Sequence, residues 1–498
     1  MPKQRSFANA LKWSYTLNWG QRGFSALFTI VLAGILGPRD FGTVSIAVIY
    51  IGFIQMFLDQ GFMAALVQRK ELEPEHLDAV FWMDQALSGL LVAISILLGG
   101  WWAAMNHAPE VGKIISVLSL SIPIEGLAAV QSAILNKQMD FKSLSIRSNV
   151  ASLIGGVIGL AMAFAGFRVW ALVGQQLVRD STALVLLWKL SPWRPRLEFS
   201  WKHLKSLTGF SISNFIGQLG VYADVQAASF FLGLLFGPVA VGLYRIAERV
   251  TGTIVVVGMS SIQSVSFPEF SRLQDNPEEL RRSALTCLRL SAAVSLPALC
   301  GLGAVSGPLM ATIGPQWVPA AGVVKILSVL CMLTVFTFFT GPLLQALSKP
   351  RQFAILEWSR MAVGAAILLV IGYLVRDRSV AWQITGIAAA RFIMGAFIVT
   401  PVFLYIFLHR CKISFREFLA AVIPAAAASA SVAASVAIFH ATHWLGNAKP
   451  VLLLFAEVLI GGVAGLLVLF KLDTQLRISV VDLVQRNIRR PVASKQSA

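Results

Sequence analysis

The sequence predicts an all-α polytopic membrane protein of about fourteen transmembrane helices, and three observations predict it. Of 498 residues, 56% are hydrophobic and only 13% are charged, where a soluble domain carries roughly 25% charged residues. Apolar runs long enough for a bilayer core of about 30 Å, which needs roughly 20 helical residues, recur from end to end. The basic residues between those runs fall mostly on one side. The excess of 41 Lys and Arg over 24 Asp and Glu, a net charge of +17, therefore marks cytoplasmic loops rather than a nucleic-acid surface. Cys287, Cys300, Cys331 and Cys411 lie in or beside apolar segments without CxxC spacing, so neither a disulfide framework nor a metal or haem site is signalled.

Taken in order, the spans begin near residues 12, 41, 80, 113, 145, 169, 207, 239, 284, 318, 353, 379, 418 and 450. With the N-terminus inside, the inner segments carry 27 Lys and Arg and the outer loops six, namely Arg39, Lys113, Arg168, Arg376, Arg378 and Lys449. That asymmetry places both termini in the cytoplasm; Arg376 and Arg378, paired in one short outer turn, are the exception to it. Lys3, Arg5 and Lys12 before the first run resemble a secretory signal. The run contains Gln21 and Arg22, however, and ends without an A-x-A-like cleavage site, so it reads as a retained helix. The connections 192–206 and 268–283 are too short to hold a folded domain. A membrane polymerase or ligase needs a large outer loop for its catalytic groups, so the chain is expected not to be an enzyme. The tail after Lys471 interleaves Leu476, Ile478, Val481, Leu483 and Val484 with basic residues, which suits either a surface helix on anionic lipid or a disordered end.

One repeat stands out. Leu36-Gly37-Pro38-Arg39-Asp40-Phe41-Gly42 matches Phe236-Gly237-Pro238-Val239-Ala240-Val241-Gly242, and both copies fall between the first and second helix of a six-helix set. An even helix count per repeat gives parallel halves related by an axis along the membrane normal, with a substrate path at their interface and rocking between two open states. The expected organisation is a six-helix bundle over 1–200, a second over 201–410, an extra helix pair over 411–471 and a basic cytoplasmic tail over 472–498.

Eight cations lie within spans, namely Arg22, Arg179, Arg245, Arg249, Arg289, Lys325, Arg360 and Arg391, together with the acids Asp59, Asp84, Glu125, Asp180, Asp224, Glu248, Glu357 and Glu457. An Arg at the centre of a spanning helix costs roughly 2.5–3.5 kcal/mol, so these groups line a hydrated cavity or pair internally. Arg245 with Glu248, and Glu357 with Arg360, stand at i,i+3 and share helix faces. Several guanidiniums around one cavity suit an anion, because each is always charged and grips phosphate bidentately. The candidate substrate-binding residues are Arg22, Arg179, Arg245, Arg249 and Arg391, with bundle packing as the alternative for each. Asn18, Gln21, Gln175, Gln176, Asn214 and Gln218 on the same helices supply hydrogen-bonding groups for sugar hydroxyls, or for neighbouring helices.

Asp59, Glu125 and Asp224 are candidate ion-coupling residues, being deep acids without a same-helix cation at i,i+3 or i,i+4. Each either exchanges a proton or Na⁺ as the cavity alternates or forms a fixed ion pair with an Arg of another helix. No P-loop occurs, so energy comes from an ion gradient, a partner or the substrate gradient. No HExxH or paired Cys/His cluster is present, and His440 with His443 lacks a third ligand, so neither metal nor cofactor is expected. Gly461, Gly462 and Gly465 give the last helix a small-residue packing face.

The segment Leu36–Gly42, the run Leu58-Asp59-Gln60-Gly61 with Ala64-Ala65-Leu66-Val67-Gln68-Arg69-Lys70, the pair Phe81-Trp82 and the later Gly242-Leu243-Tyr244-Arg245 resemble the colanic-acid and O-antigen type polysaccharide flippases. These belong to the multidrug/oligosaccharidyl-lipid/polysaccharide exporter superfamily. Glu248 departs from the aromatic that the resemblance implies there. The resemblance implies a multi-pass protein of the bacterial inner membrane that moves undecaprenyl-pyrophosphate-linked repeat units toward the periplasm through a cationic cavity. Membrane lipids, and a polysaccharide polymerase or other assembly proteins, are the expected partners. The alternative is an ion-coupled multidrug exporter of the same superfamily, for which an acid-dominated cavity would suit cationic drugs better.

Overall fold

The computed structural model describes residues 20, 23–59, 66, 73–138, 140–347, 349–442 and 449–473. Among them there is no strand, and helix follows helix through short turns. In chain order these are α1 (Gly23–Ile35), α2 (Pro38–Asp59), α3 (Pro74–Met105), α4 (Glu110–Leu118), α5 (Ser121–Lys137), α6 (Phe141–Phe164), α7 (Val169–Leu190), α8 (Trp201–Phe236) and α9 (Pro238–Arg272). They continue as α10 (Pro277–Ala304), α11 (Ser306–Ile313), α12 (Ala321–Thr337), α13 (Thr340–Ala346), α14 (Pro350–Leu374), α15 (Val380–Met394), α16 (Thr400–Arg410), α17 (Phe415–Ala441) and α18 (Pro450–Leu472). Proline opens α2, α3, α9, α10, α14 and α18, where its missing N–H costs nothing because the first-turn donors have no intrahelical partner.

Among the described residues, 11 helices are long and apolar enough to cross a membrane. The expectation of fourteen adds the first span, of which α1 is described, together with α7 and α9. The 22 residues of α7 rise about 33 Å at 1.5 Å per residue, so length does not set it apart. Its Gln175, Gln176, Arg179 and Asp180 lower its mean hydropathy; α9 carries Arg245, Glu248 and Arg249 in its first half, and several side chains of its second half lie outside the described residues.

Packing groups the described residues into two compact units, one drawn from 1–253, 313–323 and 351–391, the other from 254–312, 324–350 and the described residues after 391. These units cut across the sequence repeat, and α9 gives its first half to one and its second half to the other. In the first unit, Leu77, Val80 and Phe81 of α3 pack with Val130 and Ala133 of α5 beneath Trp188 and Trp193. Trp317, fully buried, donates to the Ala33 carbonyl at 2.7 Å and meets Phe41 edge-on. In the second unit, Phe270, Leu288, Phe339, Leu343 and Phe407 form the core. There Gly461 and Gly465 lie against Val432 of α17, whereas Gly462 faces open space.

The two copies of the repeat meet inside the first unit. A β-carbon at Gly42 would overlap the carbonyl oxygen of Pro238, and one at Gly242 would overlap that of Pro38. The contact is reciprocal, as a two-fold relation between α2 and α9 requires. Glycine is the residue that permits it, because any side chain would part the helices.

Candidate functional site

Two polar cavities lie in the first unit and share Gln176 and Arg179 of α7. The first, of about 490 Å³, is lined by Ser25 and Thr29 of α1, Gln175, Gln176 and Arg179 of α7, and Arg245, Glu248 and Arg249 of α9. The second, of about 530 Å³, is lined by Gln55 of α2, Glu125 of α5, Arg147 of α6, and Gln176, Arg179 and Asp180 of α7. Arg245, Glu248 and Arg249 stand at i, i+3 and i+4, which puts all three on one face of α9. On α7 the residues are set by the helix alongside. A β-carbon on Gly155 or Gly159 of α6 would come within 2.7 Å of the β-carbons of Arg179 and Gln175 respectively. Glycine four residues apart on α6 thus lets α7 close on it and fixes where the Arg179 head begins.

The charges are unevenly matched. Arg245 meets Glu248 at 3.0 Å and the Gln226 side-chain oxygen at 3.1 Å. Arg179 meets Asp180 at 3.0 Å. Arg249 instead donates to the Ser25 hydroxyl at 2.5 Å and, among the described residues, meets no carboxylate. Arg147 bonds the Ser132 hydroxyl at 3.0 Å. The pair Arg245–Glu248 forms as its i,i+3 spacing predicts, and the glutamate there occupies Arg245 rather than Arg249.

A second arginine cluster ties α8, α14 and α15 together. Asp224 accepts from Arg360 at 2.9 Å and faces Arg391 at 3.6 Å, while Arg391 also donates to the Asp224 backbone carbonyl at 2.9 Å. Arg360 meets Glu357 at 2.7 Å. Asp224 and Glu357 are buried. The four named charges sum to zero, which is the arrangement a low-dielectric interior tolerates.

The sequence-predicted residues are thereby distributed as follows. Arg179, Arg245 and Arg249 line one cavity; Glu125 lines the adjoining one; Arg391 joins Asp224 in the paired cluster and lines neither. Asp224 has the cross-helix arginine partners that its fixed-pair alternative requires. Arg22 and the side chains of Asp59 and Asn214 lie outside the described residues, as do Asn18, Gln21, His443 and the tail beyond Asp473. His440 pairs with Glu457 at 2.9 Å. Two contributors escape the sequence reading. Arg147 counts there as a loop cation, and the Gly155/Gly159 spacing is present in the sequence as a small-residue signal.

The second unit holds a cavity of opposite character, about 670 Å³, between α10, α17 and α18. It is lined by residues such as Val294, Pro297, Val436, Leu454 and Leu466, with Glu457 as its charged member.

Comparison with known proteins places these features. Residues 31–322 match the family described as polysaccharide biosynthesis protein. The succinoglycan biosynthesis transport protein ExoT of Rhizobium meliloti (strain 1021) is 26% identical over 317 residues, which is 64% of this chain and 64% of that relative's length. The teichuronic acid biosynthesis protein TuaB of Bacillus subtilis (strain 168) is 27% identical over 70% of this chain and 73% of its own. The lipopolysaccharide biosynthesis protein WzxC of Escherichia coli (strain K12) is 24% identical over 67% of this chain and 68% of its own. Among solved structures, the lipid II flippase MurJ in an inward closed conformation superposes with a TM-score of 0.69 at 13% identity, covering 95% of this chain and 99% of that one. An inward-facing MATE family multidrug resistance transporter gives 0.60 at 16% identity, covering 79% and 94%. The fold is therefore the one these transporters share.

Proposed function

The chain belongs to the polysaccharide biosynthesis protein family, and from that premise we propose that it is a flippase for a lipid-linked oligosaccharide. Its substrate is an undecaprenyl-pyrophosphate-linked repeat unit, moved across the bacterial inner membrane with both termini in the cytoplasm. The observation that carries the reading is Arg249, a guanidinium held on a serine hydroxyl beside Arg179 and Arg245. A net positive cavity suits a pyrophosphate, since a guanidinium grips phosphate bidentately and does not lose its proton. Gln175, Gln176 and Gln55 supply donors and acceptors for the sugar. The apolar cavity of the second unit has the chemistry for hydrocarbon. The reciprocal Gly42 and Gly242 contact supports alternating access, because it gives the two repeats a close crossing about which to rock.

Glu125, and Asp59 with it, remain the candidates for proton or sodium coupling; Asp224 joins them only if it leaves Arg360 and Arg391 during the cycle. A polysaccharide polymerase or other assembly protein is the partner class this role suggests.

A deletion strain tests the reading. Surface polysaccharide should be lost while lipid-linked repeat unit accumulates facing the cytoplasm, and unchanged amounts of both would refute it. The MATE likeness favours one other reading, an ion-coupled multidrug exporter, for which deletion would instead raise sensitivity to cationic drugs.

A further inference from the structure

Outside the arginine cavities, Glu73, His76 and His203 converge from distant parts of the sequence. Glu73 is the residue before α3, His76 lies in its first turn, and His203 lies in the first turn of α8. One carboxylate oxygen of Glu73 stands 3.1 Å from Nε2 of His203 and 3.7 Å from Nδ1 of His76, and the two imidazole rings cross at 75° with centroids 4.6 Å apart. The three ligand atoms lie within 4.8 Å of one another. We propose that these residues form a divalent transition-metal site, with Zn²⁺ as its fitting ion.

The distances argue for it. Nitrogen and oxygen ligands about 2.0–2.1 Å from one zinc ion stand roughly 3.3–3.4 Å apart at a tetrahedral angle, and the two distances from Glu73 bracket that value. Two imidazoles with a carboxylate are a donor set of intermediate softness that suits zinc over magnesium or calcium. Exposure rises from 2% for the His76 side chain through 26% for His203 to 62% for Glu73, so the fourth position opens to solvent and water completes the tetrahedron.

The surroundings are built. The Ser200 hydroxyl, at the cap of α8, lies 2.6 Å from Nδ1 of His203 and turns Nε2 toward Glu73. An outer partner of this kind holds a ligand ring in place. The chain leading into α8 is docked on α3, with the Arg196 amide donating to Asp78 at 2.9 Å and Trp82 donating to the Arg196 carbonyl at 2.6 Å. A bound ion would therefore pin the start of α8 to the start of α3, on the face that the loop charges assign to the cytoplasm.

The test uses the full-length protein, purified in detergent on a histidine-free tag and stripped with chelator. Zn²⁺ is measured by elemental analysis after dialysis, and Co²⁺ is titrated by its visible absorption. One ion per chain is expected, and either Glu73→Gln or His203→Ala should abolish stoichiometric retention. Ser200→Ala should weaken Co²⁺ binding roughly 10-fold, the lower end of what outer partners contribute. Both ligand variants change partly exposed side chains, and gel filtration reports whether they remain folded. Absence of a stoichiometric ion in the wild type would overturn the site. So would equal ion binding by wild type and both folded ligand variants.

Discussion

The two arginine clusters of the first unit use the same side chain for opposite ends. Around Asp224, two guanidiniums meet two buried carboxylates across three helices, and the charges cancel. Around the cavity of α7 and α9, three guanidiniums meet two carboxylates, and Arg249 holds a hydroxyl instead. The first arrangement is what a fold needs to bury charge; the second leaves Arg249 without a carboxylate among the described residues, and we propose that a ligand matches it. Position along the helix does not separate them, since Arg391 sits well inside the helical stretch Val380–Arg410 and Arg249 well inside α9. The partners do.

Substitution should separate them as well. Arg249→Ala and Arg179→Ala are expected to cut export of surface polysaccharide on the order of 100-fold, corresponding to the roughly 1.5–3 kcal/mol of a charged hydrogen bond. Membrane insertion, read by immunoblot, should stay normal. Arg249→Lys should fall between, keeping charge without the fork.

Arg391→Ala should act on stability instead, by about 3–5 kcal/mol, because it leaves Asp224 and Glu357 with too little positive charge in a buried place. Thermal unfolding in detergent measures this, and adding Asp224→Asn should recover much of the loss. If Arg391→Ala unfolded like the wild type while export vanished, the contrast between the clusters would collapse.

Gly155→Leu tests how the cavity is held. Overpacking costs about 1–3 kcal/mol, and pushing α7 outward would move Arg179, so export should fall in proportion while Arg249 stays in place. The smallest effect is expected from Glu248→Gln. It releases Arg245 from a partly exposed ion pair worth roughly 0–1 kcal/mol, leaving stability nearly unchanged and raising affinity for a pyrophosphate no more than about 5-fold.

Much of this was legible in the sequence, for physical reasons. A bilayer demands long apolar helices, so class and most spans appear in composition and periodicity. The i,i+3 pairs Arg245–Glu248 and Glu357–Arg360 follow from helix geometry alone, whereas the Gly-Pro repeat pointed to two related halves without showing that Gly42 and Gly242 meet. The paired cluster was not legible, because Asp224, Arg360 and Arg391 sit on three helices whose neighbours only packing decides. Arg147 was hidden by its nearness to a span end, which makes a cavity-lining cation look like a loop cation. The Glu73, His76 and His203 group was hidden because its members come from segments far apart in the chain.

We propose that Arg249, the arginine of the cavity without a carboxylate partner among the described residues, takes the substrate's pyrophosphate. Binding of a short-chain, water-soluble isoprenyl pyrophosphate to the purified protein, measured by calorimetry at low and high salt, tests it most directly. Wild type and the Arg391→Ala/Asp224→Asn pair should bind alike, and Arg249→Ala should bind roughly 100-fold more weakly with a smaller salt dependence. Equal affinity of wild type and Arg249→Ala would remove Arg249 from the pyrophosphate site.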